Sequence, residues 1–471
     1  MRRLILGPPG TGKTTYLINI MEEEIGRGVD PRRIAFLSFT RKAAQEARDR
    51  AQAAFGFSKA DLPYFRTLHS LAFHRLGLRK DDVFGPKNLV EIGDLLGLSF
   101  STRQSQVEEG LPTGVHRGDR YLFLDGYARA RRLSADDAWR TLTDTEELNL
   151  WEFERFRLTL EKFKRVRHLV DFADMLDLCP PLDADVVILD EAQDCSTAQW
   201  EMFWRVLGSA KRIYVAGDDD QAIYAWAGAD IHGFQRLQGF DIHRLSKSHR
   251  VSKSIHRLAD GIVRRISSRY DKDYLPSEEE GMVKFHRQPE CVDITSGEWM
   301  LLARNSYHLS QLVEMAKYQG VPYTVRGVSG VNGKHIKAVL AWEKRRRGQI
   351  LSLEEEGAIS EFLPRDRDPD RNLIWHEALT RIPLAEREAY ISMLKRGESL
   401  TKPPRVNINT IHAVKGGEVD NVLLLTDMTY RTAEGYAVNP DNEHRVFYVG
   451  VTRAKKSLHI IEPQENAGYP M

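Results

Sequence analysis

The sequence predicts an α/β protein of two domains with parallel sheets, each carrying an inserted, mostly helical subdomain. Three observations lead there. Short apolar runs ending in glycine or a polar turn recur: "RLILG", "IAFLSFT", "VVILDEA", "IYVAGD", "MLLARN", "NVLLLT" and "LHIIEP". Stretches with helical patterning such as "RKAAQEARDRAQAAF" separate them, the alternation expected of buried parallel strands with crossover helices. The runs also fall into two groups, each broken by a charged stretch with few strand signals.

In chain order, residues 1–76 and 168–243 are expected to form the first domain, with the helix-biased 77–167 inserted between them. Residues 244–330 and 404–471 are expected to form the second. It is interrupted at 331–403, where "EKRRRG", "LEEEG" and "PRDRDPDRN" indicate short helices joined by polar loops. A chain of 471 residues exceeds one ordinary core, and 42% hydrophobic residues is enough to bury several.

Net charge is +1, from 68 basic and 67 acidic residues, so any polyanion must be held by a local groove and not by the global field. Cys179, Cys195 and Cys291 are odd in number and widely spaced, which argues against a disulfide framework or a zinc cluster. No segment reaches the roughly 18 uninterrupted apolar residues of a membrane span. Glycine and proline cut the opening "MRRLILGPPGTG" far short of a signal peptide. The expectation is a soluble, cytoplasmic protein of a bacterial or phage-infected cell, monomeric and without a membrane partner.

"GPPGTGKT", Gly7–Thr14, follows the strand-like "RLIL" and precedes the helix-like "TYLINIMEEEI", the context a phosphate-binding loop requires. Glycines let backbone N–H groups and a helix N-terminus wrap phosphates, Lys13 can reach the β- and γ-phosphates, and Thr14 can ligate magnesium. After four apolar residues, "VVILDEAQD" supplies Asp190 for the magnesium shell and Glu191 to polarise an attacking water. "IYVAGDDDQ" is again strand then polar turn, with Gln221 placed to sense the γ-phosphate or the water. Tyr224 and Trp226 follow three and five residues on; such pairs pack cores more often than they stack on bases.

The motifs in order resemble a superfamily 1 helicase of the UvrD/Rep/PcrA type. They are "GPPGTGKT", "SFTRKAAQEARDR", "RTLHSLAF", "DFADML", "ILDEAQD", "VAGDDDQAIYAWAGAD", "RLSKSHRVSKSI", "LLARN", "VPYTVRG", "VNINTIHAVKGGEVDNVLLL" and "RVFYVGVTRAKKSLHI". The resemblance implies two RecA-like P-loop domains using ATP and Mg2+. It assigns Gly7, Pro8, Pro9, Gly10, Thr11, Gly12, Lys13, Thr14, Thr15, His249 and Glu418 to the nucleotide, and Thr14 and Asp190 to the metal. Glu191 and Gln221 become hydrolytic groups, and Arg250 and Arg453 become arginine fingers brought from the second domain. Phe39, Thr40, His69, Tyr224, Trp226, Thr410 and His412 are expected to contact nucleic acid. The acidic run Asp218–Asp220 is open to two readings: beside magnesium, or accepting hydrogen bonds that shape the loop.

The implied activity is ATP-driven translocation 3′ to 5′ on single-stranded DNA with unwinding of duplex. Its partners would be single strands, single/double-strand junctions, and replication or repair proteins. Alternatives are a translocase that displaces proteins without unwinding, and a nucleotide-switched DNA-binding module. No further metal-carboxylate cluster stands outside the nucleotide motifs, which argues against a nuclease. The chain departs from the family pattern in four places. No segment with an adenine-reading glutamine precedes "RLIL"; Thr15 and His249 replace an arginine and a stacking tyrosine; Ala227 stands where arginine is common; and the second insertion is short. The first two lead us to expect weak discrimination among nucleotides.

Overall fold

The computed structural model describes residues 1–39, 41–101, 116–141, 148–365, 368–464 and 467–471. The chain divides into two compact units, Met1–Arg250 with Val263–Ser277, and Val251–Ile262 with Glu278–Met471.

The first unit is built on six parallel strands: β1 (Arg2–Leu6), β2 (Ile34–Ser38), β3 (Phe65–Arg66), β4 (Val186–Asp190), β5 (Arg212–Gly217) and β6 (Asp241–Arg244). Their order is β3-β2-β4-β5-β1-β6. β2 and β4 are buried along their whole length, which is why they read as unbroken apolar runs. The helix Lys13–Gly26 lays Leu17, Ile18 and Met21 on one face of the sheet against Ile5, Phe36 and Ile188. The helix Thr197–Leu207 covers the other face with Trp200, Phe203 and Val206. Parallel pairing aligns strand ends: Leu6 sits opposite Gly217 and Ser38 opposite Asp190. The turns carrying Gly7, Phe39, Glu191 and Asp218 therefore leave the sheet along one edge, where α/β folds place their ligands.

The insertion forms the helices Pro86–Leu96, Arg117–Arg131, Ala135–Thr141 and Leu150–Arg167 around a core of its own, with Tyr121, Phe153 and Phe156 at its centre. Arg129 and Lys164 fix it to the base by ion pairs of 2.5–2.6 Å with Asp171 and Asp174, which also cap the helix Phe172–Leu178.

The second unit has seven strands: β7 (Met282–His286), β8 (Trp299–Ala303), β9 (Tyr323–Val325), β10 (Val328–Ser329), β11 (Val406–Thr410), β12 (Val419–Leu425) and β13 (Ala454–Ile461). They run in the order β10-β9-β11-β8-β12-β13-β7, parallel except for the β9–β10 hairpin. The helices of its insertion, Gly333–Arg346, Leu353–Ser360, Trp375–Ala378 and Leu384–Lys395, do not form a separate core. Trp342, Trp375 and Tyr390 join the apolar cluster of Trp299, Leu301 and Val406 beneath the sheet.

The division between units falls later than the sequence expectation at residue 244. Strand β6 pairs with β1, Leu245 N donates to Leu6 O at 2.9 Å, and His249 N donates to Gly10 O at 2.8 Å, so residues 244–250 stay with the first unit. Among the described residues no helix is long and apolar enough to cross a membrane.

Candidate nucleotide and nucleic-acid sites

Gly7–Gly12 turns sharply between β1 and the helix Lys13–Gly26, with Gly10 at φ 73° and Gly12 at φ 78°, values that glycine adopts without strain. A Cβ on Gly7 would lie 2.1 Å from Lys13 Cγ, so the lysine can fold across the loop only over a glycine. Four successive carbonyls are taken by protein donors. Lys13 Nζ donates to Gly7 O at 2.7 Å, Thr11 Oγ1 to Pro8 O at 2.8 Å, Ser248 Oγ to Pro9 O at 2.8 Å, and His249 N to Gly10 O. Their dipoles are thereby withdrawn from competition with an anion at the helix N-terminus.

Thr14 Oγ1 donates to Asp190 Oδ2 at 2.8 Å across the gap between the helix and β4. A hydroxyl and a carboxylate so placed are the hard oxygen donors that suit magnesium, and the glycine-lined cradle suits a polyphosphate. The residues therefore fit both implied ligands. Burial, reinforced by the neighbouring Glu191 carboxylate, pushes Asp190 up to about 6 despite Lys13 and Thr14. A bound cation would offset that penalty. Glu191 sits at φ 54°, ψ 40°, a left-handed conformation uncommon outside glycine, and Asp190 Oδ1 accepts its N–H at 2.9 Å. Gln193, fully buried, donates to Glu191 Oε2 at 2.6 Å and accepts from Asp218 N at 3.0 Å.

All three carboxylates of the acidic run accept hydrogen bonds. Gln221 Nε2 donates to Asp218 Oδ2 at 2.7 Å. Lys272, buried, lies 3.1 Å from Asp218 Oδ1 and 2.6 Å from Asp220 Oδ2 and also contacts Asp219, while Arg269 grips Asp220 with two bonds of 2.8–2.9 Å. Burial works against the charge on Asp218, but Lys272 and Lys13 outweigh it and hold the carboxyl below its ordinary value. Asp220 goes the other way, raised by burial beyond what Lys272 and Arg269 offset.

Beyond this loop the aromatics form a row. Phe39 stacks on Tyr224 at 5.6 Å between ring centres and 23° between planes, and Tyr224 meets Trp226 edge-on at 6.2 Å. Thr40, expected beside Phe39, lies outside the described residues. A groove of about 420 Å³ continues from Phe39 past Thr67, His69 and Phe172. His69 packs edge-on to Phe172, and burial pushes its imidazole down to about 4, so it faces the groove as a neutral ring. Arg131, from the insertion, donates to Ala229 O at 3.0 Å and pairs with Asp230 at 3.3 Å. It brings a guanidinium to the loop in which Ala227 stands where the family commonly has arginine.

Arg250 lies beside the P-loop within the first unit: a Cβ on Gly10 would come within 2.5 Å of Arg250 Cβ. This corrects the expectation that it is delivered from the second domain. Thr15 and His249 are exposed. In the second unit, Arg453 is buried and donates to Val449 O and Gly417 O, both at 2.9 Å, and Glu418 pairs with Lys455 at 2.7 Å, so "KGGEV" and "VTRAKK" meet. Thr410 ends β11 and is buried with His412; burial, then Arg304, drives His412 well below its ordinary value.

Residues 2–227 match the AAA domain, and residues 376–465 match the UvrD-like helicase C-terminal domain. The chain is 26% identical over 291 residues to the ATP-dependent DNA helicase Rep of Salmonella typhimurium, an alignment covering 55% of this chain and 40% of Rep. It is 23% identical over 397 residues to the ATP-dependent DNA helicase PcrA of Staphylococcus aureus, covering 72% and 51%. The chain belongs to the UvrD/Rep/PcrA type of superfamily 1 helicases. A probable DNA helicase of Mycoplasma pneumoniae aligns over 96% of this chain and 79% of its own length, at 22% identity. The chain spans about 40% of the length of the Rep proteins it matches.

Within this superfamily 1 chain, four residues near the site carry no local signal that singles them out. Lys272 and Arg269 lie about fifty positions from the aspartates they neutralise. Gln193 shows only in its two-sided hydrogen bonding, and Phe172 only in its exposure against His69.

Proposed function

We propose that the protein is a DNA-stimulated ATPase that translocates 3′ to 5′ along single-stranded DNA and separates duplex. One observation carries the reading. The loop leaving β5 holds Gln221 at one end, anchored to Asp218, and at the other presents Tyr224 and Trp226 in a row with Phe39. A single short segment thus joins a γ-phosphate-sensing amide to ring faces that accept any base.

The nucleotide lies along Gly7–Thr15, with His249 at its base. Lys13 neutralises its β- and γ-phosphates, and Thr14 and Asp190 hold magnesium, which when bound draws off the negative charge developing on the phosphoryl oxygens. Glu191 accepts the proton of the attacking water at a carboxylate oxygen, and Gln221 orients that water. Arg250, beside the P-loop, balances the charge of the transferred phosphoryl group. Phe39, Tyr224 and Trp226 stack on bases, while Thr40, His69, Thr410 and His412 donate to the strand without reading sequence. Alternating grip then advances the strand by about one nucleotide per hydrolysis. The test is ATP hydrolysis with and without single-stranded DNA. Strong stimulation supports a motor; slight stimulation identifies a nucleotide-switched binding module instead.

A further inference from the structure

We propose that Lys272 is a positioning residue for Glu191 and Gln221, acting through Asp218. The inference rests on the hydrolytic roles given to those two residues above.

The ammonium of Lys272 lies within hydrogen-bonding reach of Asp218, Asp219 and Asp220, all at most 1% exposed. Asp218 is the centre of a chain of bonds. Its Oδ2 accepts from Gln221 Nε2 at 2.7 Å, and its backbone N donates to Gln193, whose amide donates in turn to Glu191 Oε2 at 2.6 Å. Its remaining oxygen, Oδ1, faces Lys272 at 3.1 Å and accepts from Asp220 N at 3.2 Å. Three buried carboxylates this close cannot all stay ionised without a cation among them. Remove the ammonium and protons must bind; a protonated Asp218 then presents a hydroxyl where Gln221 needs an acceptor.

Stability alone does not account for the arrangement, because desolvation offsets most of what a buried ion cluster contributes. The location of Lys272 does. Its segment is held on both margins. Arg269 and Tyr270 N bind Asp220 and Asp219, while Leu275 N donates to Ser246 O at 2.7 Å and Leu275 O accepts from Ser248 N at 2.8 Å. Ser248 Oγ in turn donates to Pro9 O. Residues 269–275 therefore tie the Gln221 loop to the P-loop as one rigid piece.

The test compares Lys272→Met and Lys272→Arg, each alone and combined with Gln221→Ala. It reads kcat and KM for ATP at saturating single-stranded DNA, and amide hydrogen exchange without nucleotide. Lys272→Met is expected to lower kcat about tenfold or more while moving KM less than about twofold. The loss should be smaller in the Gln221→Ala background, where only the arm to Glu191 remains, Lys272→Arg should recover most of it, and exchange should quicken at residues 216–224 but not across the first unit. An unchanged kcat, an equal further loss in the Gln221→Ala background, or quickened exchange throughout the unit overturns the proposal. If Lys272→Met does not fold, Lys272→Gln, which also removes the ammonium but keeps a polar group, is read the same way, and wild-type kcat and exchange there also overturn the proposal. If the parent chain hydrolyses no ATP, the functional reading alone fails, and exchange at 216–224 decides the positioning role.

Discussion

Gln193 donates its side-chain amide to Glu191 Oε2 at 2.6 Å while Glu191 occupies a left-handed backbone conformation. The carboxylate beside the P-loop is thus aimed by a buried partner instead of being left to a mobile side chain. Glu191→Gln keeps an oxygen for Gln193 to bond and removes only the base. We expect it to bind nucleotide and DNA as the parent does and to lose turnover by about a hundredfold or more. Near-normal turnover would remove Glu191 from the hydrolytic role.

Trp226 meets Tyr224 edge-on at the end of the aromatic row. Trp226→Ala should leave basal hydrolysis largely intact and raise the DNA concentration for half-maximal stimulation about tenfold, the loss expected for one stacked base. Collapse of basal hydrolysis would assign the ring to packing.

Thr15 is exposed in the first turn of its helix, and His249, also exposed, is held to the P-loop only by its backbone. Neither supplies the fork of hydrogen bonds that discriminates one base from another. Turnover of ATP, GTP and CTP on one DNA should therefore agree within about tenfold. A strict ATP preference would contradict this.

Burial lowers five histidines: His69 and His459 to about 4, His412 well below 6.5, and His74 and His286 in the same direction. A folded value below the unfolded one means that the unfolded chain binds more protons between pH 6.5 and 4. Stability is then unaffected at pH 7 and is lost as pH falls through that window. Urea unfolding at pH 7 and pH 5 should show the fall, and His69→Gln should flatten it. An unchanged slope in the variant would mean that the ring is not held neutral.

The parts legible in the sequence were those with local causes. Gly7–Thr14 between strand and helix, and Asp190–Glu191 after four apolar residues, state their geometry within a dozen positions, and the structure brings Thr14 and Asp190 together. Four of the six strands of the first sheet, β1, β2, β4 and β5, were legible because buried strands leave unbroken apolar runs. The Lys272 clamp was not, since "SSRYDKDY" has neither helical nor strand periodicity and its partners are remote in sequence. The unit boundary was missed for a related reason: β6 is short and exposed, and backbone bonds to the P-loop, which no side-chain pattern encodes, hold residues 245–250 to the first unit. The second insertion reads as a small subdomain of short helices joined by polar loops, yet Trp342 and Trp375, spaced too irregularly to signal a face, carry it into the sheet's core.

The most direct measurement is unwinding of matched duplexes bearing a 3′ tail, a 5′ tail or none, with ATP and magnesium, beside Lys13→Ala as the inactive control. Selective opening of the 3′-tailed duplex is the predicted result. Opening from the 5′ tail, or no opening despite DNA-stimulated hydrolysis, would contradict the account, the second outcome leaving a translocase that does not unwind.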